Sequence, residues 1–333
     1  MSISSNKRGF KSLVLSGGGV RALAHVGAIT RLEQLEMLTE FSNYCGASAG
    51  AGIAALLASG YTCEELFKFM ITLDYRSFVN HNPIREGIDL VRHFGLHTPN
   101  KLQDAFNKGL EAKVGENATF MSLYKRTGKT LIIPATNLTL GVLDVFSPAT
   151  SPDMLIKDAL CLTTDIPLFF TAKTYNGHTY TDGGVLNNLP VSLVPQPSLA
   201  INLVAEPQLP QTTDNLSDYL YTLLETVTNK IESLESENRE GHVIKVNTGS
   251  VGATDFDLTF MRKVGLVRRG FNATKNWYPP STLIFPHLDK QMAPHIFPSY
   301  WTKFLQEHQD NISEKTNVKE KSTFAVKAGC IIQ

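Results

Sequence analysis

"YCGASAG" (residues 44–50) places Ser48 between Gly46 and Gly50, each two positions away. Before the serine runs "FSNYC" (41–45), a short strand candidate. After it runs "AGAGIAALLASG" (49–60), a small-residue helix that closes on Gly60 as a C-terminal cap. Strand, G-x-S-x-G and helix follow one another as in a nucleophile elbow. There the serine sits on a strained turn above the sheet edge, and side chains two residues away on either side would collide. The following helix aims its first N–H groups at the same spot, where they stabilise negative charge. The competing reading is that Gly, Ala and Ser merely allow close helix–sheet packing. The stretch alone leaves the two open.

Two further glycine-rich sites bear on the choice. "FKSLVLS" (10–16) reads as a buried strand running into "SGGGVRALAHVG" (16–27). Gly17, Gly18 and Gly19 leave backbone N–H groups without side-chain cover, which suits an anion or an oxyanion. Arg21 stands beside them, either as a solvated helix-start residue or as an orienting charge. The spacing Gly17-x-Gly19-x-x-Ala22 also mimics a dinucleotide fingerprint. That reading needs a carboxylate at the end of the second strand. Glu36 lies in the helical pattern and Glu40 precedes the strand, so neither fits well. The third site, "YTDGGVLNNLPV" (180–191), puts Asp182 at a strand end before Gly183 and Gly184. Asp-Gly is an ordinary turn; it is equally the setting of a buried general base.

Between these sites the chain alternates strand and helix patterns, which predicts an α/β fold with a central, mostly parallel sheet layered with helices. Residues 20–38 carry a broad apolar helical face. Residues 63–117 read as several helices broken at Pro83 and Pro99. "KTLIIPATNL" and "VLDVFSP" read as strands, "SPDMLIKDALCL" as a helix begun near Ser151–Pro152, and "LAINLVA" and "GHVIKVN" as further strands. One domain is expected over 8–290, with its motif-bearing part at 10–205. A polar Lys/Glu/Ser/Thr tail from 311 to 333 is expected to be disordered.

Composition narrows the class. Of the 333 residues 42% are hydrophobic and 19% charged, as in a globular protein with a sizeable core. The 31 Lys and Arg balance the 31 Asp and Glu, so nothing global favours nucleic acid. Cys45, Cys63, Cys161 and Cys330 form no CxxC or zinc spacing, and the apolar run at Leu13–Leu15 is too short for a signal peptide. A cytoplasmic protein is the simplest expectation. The last four residues, "CIIQ", fit a C-a-a-X box, so Cys330 is a lipidation candidate that would add peripheral membrane contact in a eukaryotic or host cell.

Taken together, the GGGxR loop, the G-x-S-x-G elbow about 30 residues on and the DGG turn about 130 residues beyond resemble the patatin-like phospholipase family. "TFMSLYKRTGKTLIIPATNLTLGVLDVFSP" and "DALCLTTDIPLFF" are similar to the family's run between elbow and aspartate. Two departures stand out: Ala22 where a glycine is usual, and Thr163–Thr164 in place of a commoner Ala/Ser stretch. The resemblance implies a lipid acyl hydrolase without cofactor or metal. Ser48 would be the nucleophile, Asp182 the base and Gly17–Gly19 the oxyanion donors, with Arg21, Gly46, Gly50, Gly183 and Gly184 in support. Lipid esters, phospholipids first, are the implied substrates. A catalytically degenerate lipid-binding protein and a nucleotide-binding oxidoreductase are the alternatives. A histidine base is disfavoured. His25 reads as packing, and His178 lies four residues before Asp182, about 13 Å along a strand. His81, His93 and His97 fall in the helical segment. Phe67, Phe69, Phe78, Phe94 and Leu96 read as ordinary core, or as residues that line an acyl channel or lean on a membrane.

Overall fold

The computed structural model describes residues 9–79, 95–97, 100–206, 216–237, 242–277 and 297–308. The chain divides into two compact units, 1–290 and 291–333. In the second, the described part is a helix over 299–308, with Trp301 stacked on Phe297 at 5.1 Å. The tail from 311 and Cys330 lie outside the described residues, as do Pro83, Pro99, His81, His93 and Phe94.

The first unit is built on an eight-stranded sheet in the order β10-β9-β1-β2-β4-β8-β7, with β5 also paired to β4. The strands are β1 Ser12–Leu15, β2 Asn43–Gly46, β4 Thr130–Asn137, β5 Val142–Phe146, β7 Lys173–Tyr175, β8 His178–Thr181, β9 Ser198–Val204 and β10 Val243–Asn247. β10, β9, β1, β2 and β4 run parallel; β5, β8 and β7 extend the sheet antiparallel. The parallel strands are apolar runs because both faces are covered: Leu13, Val14, Leu15, Leu199, Ala200 and Ile201 are all buried.

Helices fill the connections: α1 Leu23–Gln34, α2 Ala49–Ala58, α3 Cys63–Thr72, α4 Asn100–Val114, α5 Phe120–Thr127, α6 Ile156–Thr163, α7 Gly184–Asn187, α8 Leu216–Ser236 and α9 Phe260–Asn276. Local chemistry sets several ends. Thr62 and Glu65 form a capping box on α3. α2 stops at Ala58, and Gly60 takes φ 97° as its N–H bonds the Leu57 carbonyl. The register Leu15↔Gly46 brings the carboxyl ends of β1 and β2 level, while β9 runs past its Leu15↔Ile201 pairing to Val204. The loops after β1 and β2 therefore emerge together, at the edge where parallel sheets present their ligand sites.

Two expectations need correction, and one element was not foreseen. The segment 63–117 is not all helix, since β3 (Gly95–His97) pairs parallel with β6 (Leu168–Phe170). Three residues between helical patterns carry no period long enough to read. The helix expected from Ser151–Pro152 starts at Ile156. Ser147 instead turns the chain, its Oγ accepting the N–H groups of Ala149 and Thr150 at 3.2 Å. The long α8 stands where the sequence reading assigned no element.

Candidate active site

Ser48 occupies the turn between β2 and α2 with φ 52° and ψ −130°, a left-handed conformation costly for any residue with a Cβ. The flanking glycines are there for space. A Cβ on Gly46 would strike the Gly50 backbone, and one on Gly50 would approach the Leu15 carbonyl oxygen to 2.6 Å. The elbow is also held from the side: Ser48 N–H donates to Thr163 Oγ1 at 3.2 Å, and that hydroxyl donates to the Pro134 carbonyl at 2.6 Å. Thr163, a departure from the family's usual small residue, is thus a strut between the elbow and β4.

Asp182 follows β8 directly and is 5% exposed. Thr136 Oγ1 donates to its backbone carbonyl at 2.8 Å, and Gly184 N–H to Oδ1 at 2.7 Å. Oδ2 has no hydrogen-bond partner of standard geometry. Burial pushes the carboxyl up to about 6, while the Ser48 hydroxyl and the Gly184 amide pull the other way. Ser48 is therefore near enough to stabilise the carboxylate, in a loose contact of the kind that tightens when a substrate binds. Gly183 must lack a side chain because its Cβ would meet the Pro134 carbonyl and, at 2.8 Å, Thr163 Oγ1.

The glycine loop faces the same point, with one change to its expected donor set. Gly17 N–H already donates to the Asn188 carbonyl at 3.1 Å, so it is not free for an oxyanion. Among the described residues no acceptor meets the N–H of Gly18 or Gly19. Gly19 takes φ 54°, and a Cβ there would strike the Ala253 carbonyl. Arg21 Nε donates back to the Gly18 carbonyl at 3.3 Å and so braces the loop. From α1, His25 Nε2 bonds the Ser16 carbonyl at 2.8 Å. Burial lowers this histidine to about 4, so it is neutral and structural. His178 contacts Asn137 rather than Ser48 or Asp182. The dinucleotide reading fails at its acidic residue, because β2 ends in Gly46, the elbow itself.

The sequence reading missed a polar brace behind the loop. Asn188 Nδ2 donates to Glu232 Oε2 at 2.6 Å, and Asn202 Nδ2 to Glu232 Oε1 at 2.8 Å. "NN" after the DGG turn was the available signal, but its acceptor lies 44 residues on. Two recesses meet at Ser48. One is polar-rimmed, with Gly18, Gly19, Arg21, Asp182 and Asn188. The other is apolar, with Met70, Tyr75, Leu102, Phe106, Phe170 and Phe256. Phe67 and Phe78 are buried in the core and Phe69 is half-buried, its ring 6.0 Å from that of Phe106; none of the three lies on this wall.

The family model described as patatin-like phospholipase matches residues 13–194, more than half of the chain. The chain belongs to the patatin-like phospholipase family. It is 33% identical over 193 residues to the probable lipid hydrolase 463L of Invertebrate iridescent virus 6, covering 58% of this chain and 66% of that one. It is 30% identical over 282 residues to the uncharacterized protein YqhO of Bacillus subtilis (strain 168), covering 79% and 96%. Among solved structures, VipD from Legionella pneumophila aligns at TM-score 0.55 and 19% identity, over 80% of this chain and 66% of that one; this likeness shows the fold. The match to the viral relative spans just under two thirds of that relative's length.

Proposed function

We propose that this protein hydrolyses lipid esters with a Ser48–Asp182 dyad. The observation that carries the reading is convergence: a strained serine, a buried carboxyl with one unpartnered oxygen, and two free amides open onto one recess. Ser48 Oγ attacks the ester carbonyl carbon as its proton passes to Asp182. The Gly18 and Gly19 amides receive the oxyanion. The C–O bond to the alcohol then breaks, and the departing alcohol takes the proton from Asp182. Water attacks the acyl-serine as Asp182 accepts its proton; the acyl–Oγ bond then breaks, Ser48 Oγ takes the proton back from Asp182, and the fatty acid leaves.

An aspartate is a weak base at its ordinary value near 4. Raised to about 6, Asp182 is still ionised at neutral pH but takes a proton more readily. The apolar recess suits an acyl chain and the polar rim suits the alcohol side of the ester, which favours a phospholipase or lysophospholipase type of substrate. The test is a panel of phospholipid, lysophospholipid and triacylglycerol vesicles or emulsions given to wild type and to Ser48→Ala. Fatty acid release from at least one lipid by wild type alone is expected. Equal release by Ser48→Ala would overturn the mechanism.

A further inference from the structure

A second carboxyl lies buried behind the proposed base. Asp165 follows α6 and is 0% exposed. Its backbone carbonyl accepts the Asp182 N–H at 3.0 Å and the Thr181 hydroxyl at 2.8 Å, so this residue fixes where Asp182 leaves β8. Its side chain reaches away from water. Oδ1 accepts from Gln103 Nε2 on α4 at 3.1 Å, and Oδ2 has no partner. Gln103 is itself 4% exposed and touches Thr164 Oγ1 and the Cys161 carbonyl, both at 3.3 Å. Its neighbours on α4, Leu102 and Phe106, wall the apolar recess at Ser48. One amide therefore ties the acyl wall to the turn that carries the base.

We propose that Asp165 is a positioning residue for the hydrolysis, held as a neutral carboxylic acid while the enzyme works, and that its ionisation disables the Ser48–Asp182 pair. The inference rests on the dyad reading above. An unpaired buried hydroxyl costs far less than an unpaired buried charge, and one hydrogen bond from Gln103 cannot solvate an anion. A second negative charge here would also repel the ionised Asp182 and the oxyanion. The charged and titratable groups around Asp165 are Lys173 on β7, Asp182 after β8 and Cys161 on α6, with Asp158 and Asp104 acting on Cys161 from farther out. Burial dominates, with repulsion from Asp182 in the same direction. Against Lys173 and Gln103, they push the Asp165 carboxyl up to about 8. The pair thus shares its protons unequally: Asp182 ionises first and Asp165 keeps its proton through neutral pH.

The experiment is the rate of serine modification by a fluorophosphonate probe across about pH 5 to pH 10, on wild type, Ser48→Ala, Asp165→Asn and Gln103→Met. Wild type should slow above pH 8 and be about tenfold below its plateau one unit higher. Asp165→Asn, a neutral isostere, should keep the rise near pH 6 and lose the fall above 8. Gln103→Met removes a bond that favours the anion, so its fall should move to higher pH. An Asp165→Asn profile that superimposes on wild type, or a folded Asp165→Asn that is inert at every pH, would overturn the proposal. If that variant does not fold, an unmoved alkaline limb in Gln103→Met does the same. Undiminished labelling of Ser48→Ala would instead sink the dyad reading itself.

Discussion

At the scale of single residues, the proposed chemistry depends on Ser48 being aimed by a strained backbone and Asp182 being kept basic by burial. Because the two pass one proton between them, Ser48→Ala and Asp182→Asn should each lower kcat by about ten-thousand-fold. The double variant should be little worse than either alone. A double variant that loses the product of the two single effects would mean that they act independently. The pH dependence has a definite sign: the base must be ionised, so kcat should rise as pH climbs through about 6 and be low in acid. A flat kcat between about pH 5 and 7 would speak against Asp182 as the base. Both residues of the proposed dyad stand out in the sequence because glycines mark them, and the structure requires glycines there, where Cβ atoms would strike Gly50, Leu15 and Pro134. Asp165 was not legible. Nothing in "TTDIP" signals a carboxyl with no exposed surface, since its burial comes from α4, more than 60 residues earlier.

At the scale of elements, two supports carry the site. The glycine loop is fixed by Asn188, and Asn188 is fixed by Glu232 on α8. Glu232→Ala would leave the Asn188 and Asn202 amides without their acceptor, at a cost of about 1–3 kcal/mol. It should also lower kcat, because Asn188 holds Gly17. Denaturant unfolding and steady-state kinetics on one preparation would check both, and an unchanged midpoint would remove α8 from the account. Within the loop, Gly19→Ala meets the Ala253 carbonyl while needing φ 54°. Displacing one oxyanion donor should cost about a hundred- to a thousand-fold in kcat with KM little changed. A change in KM alone would mean that the loop binds substrate rather than the transition state. The β1–loop–α1 and β2–elbow–α2 units were readable from strand runs, glycines and helical period. The Gly17–Asn188 bond was not, because a backbone amide's partner is settled only by which loops emerge side by side.

At the scale of the whole molecule, the sheet order places β1 at the centre of the five parallel strands, with β2 on one side and β9 on the other, and the loop and elbow come together at the carboxyl ends of β1 and β2. Helices seal the far layer: a Cβ on Gly27 of α1 would strike the Val267 carbonyl of α9, and one on Gly270 the Ala24 carbonyl. That crossing was invisible in sequence, where two glycines in separate amphipathic helices look unrelated. Two buried carboxyls with raised values also shape global stability. Between the unfolded value near 4 and the folded values of about 6 and 8, the native state holds more protons than the unfolded chain. Stability should therefore fall as pH rises through that window, and fall less in Asp165→Asn. Buried His25, lowered to about 4, opposes this slope below its unfolded value near 6.5, so thermal unfolding across about pH 6.5 to 8 reads the carboxyls directly; a Tm that climbs with pH there would contradict the burial of these acids.

The central claim is that Ser48 is an activated nucleophile. The most direct measurement is mass spectrometry of the purified protein after reaction with a fluorophosphonate, mapping the adduct to a peptide. The account predicts one adduct, on Ser48, absent in Ser48→Ala and much slower to form in Asp182→Asn. An unlabelled Ser48 in protein that still releases fatty acid from lipid esters, or an adduct formed as fast in Asp182→Asn as in wild type, would contradict it.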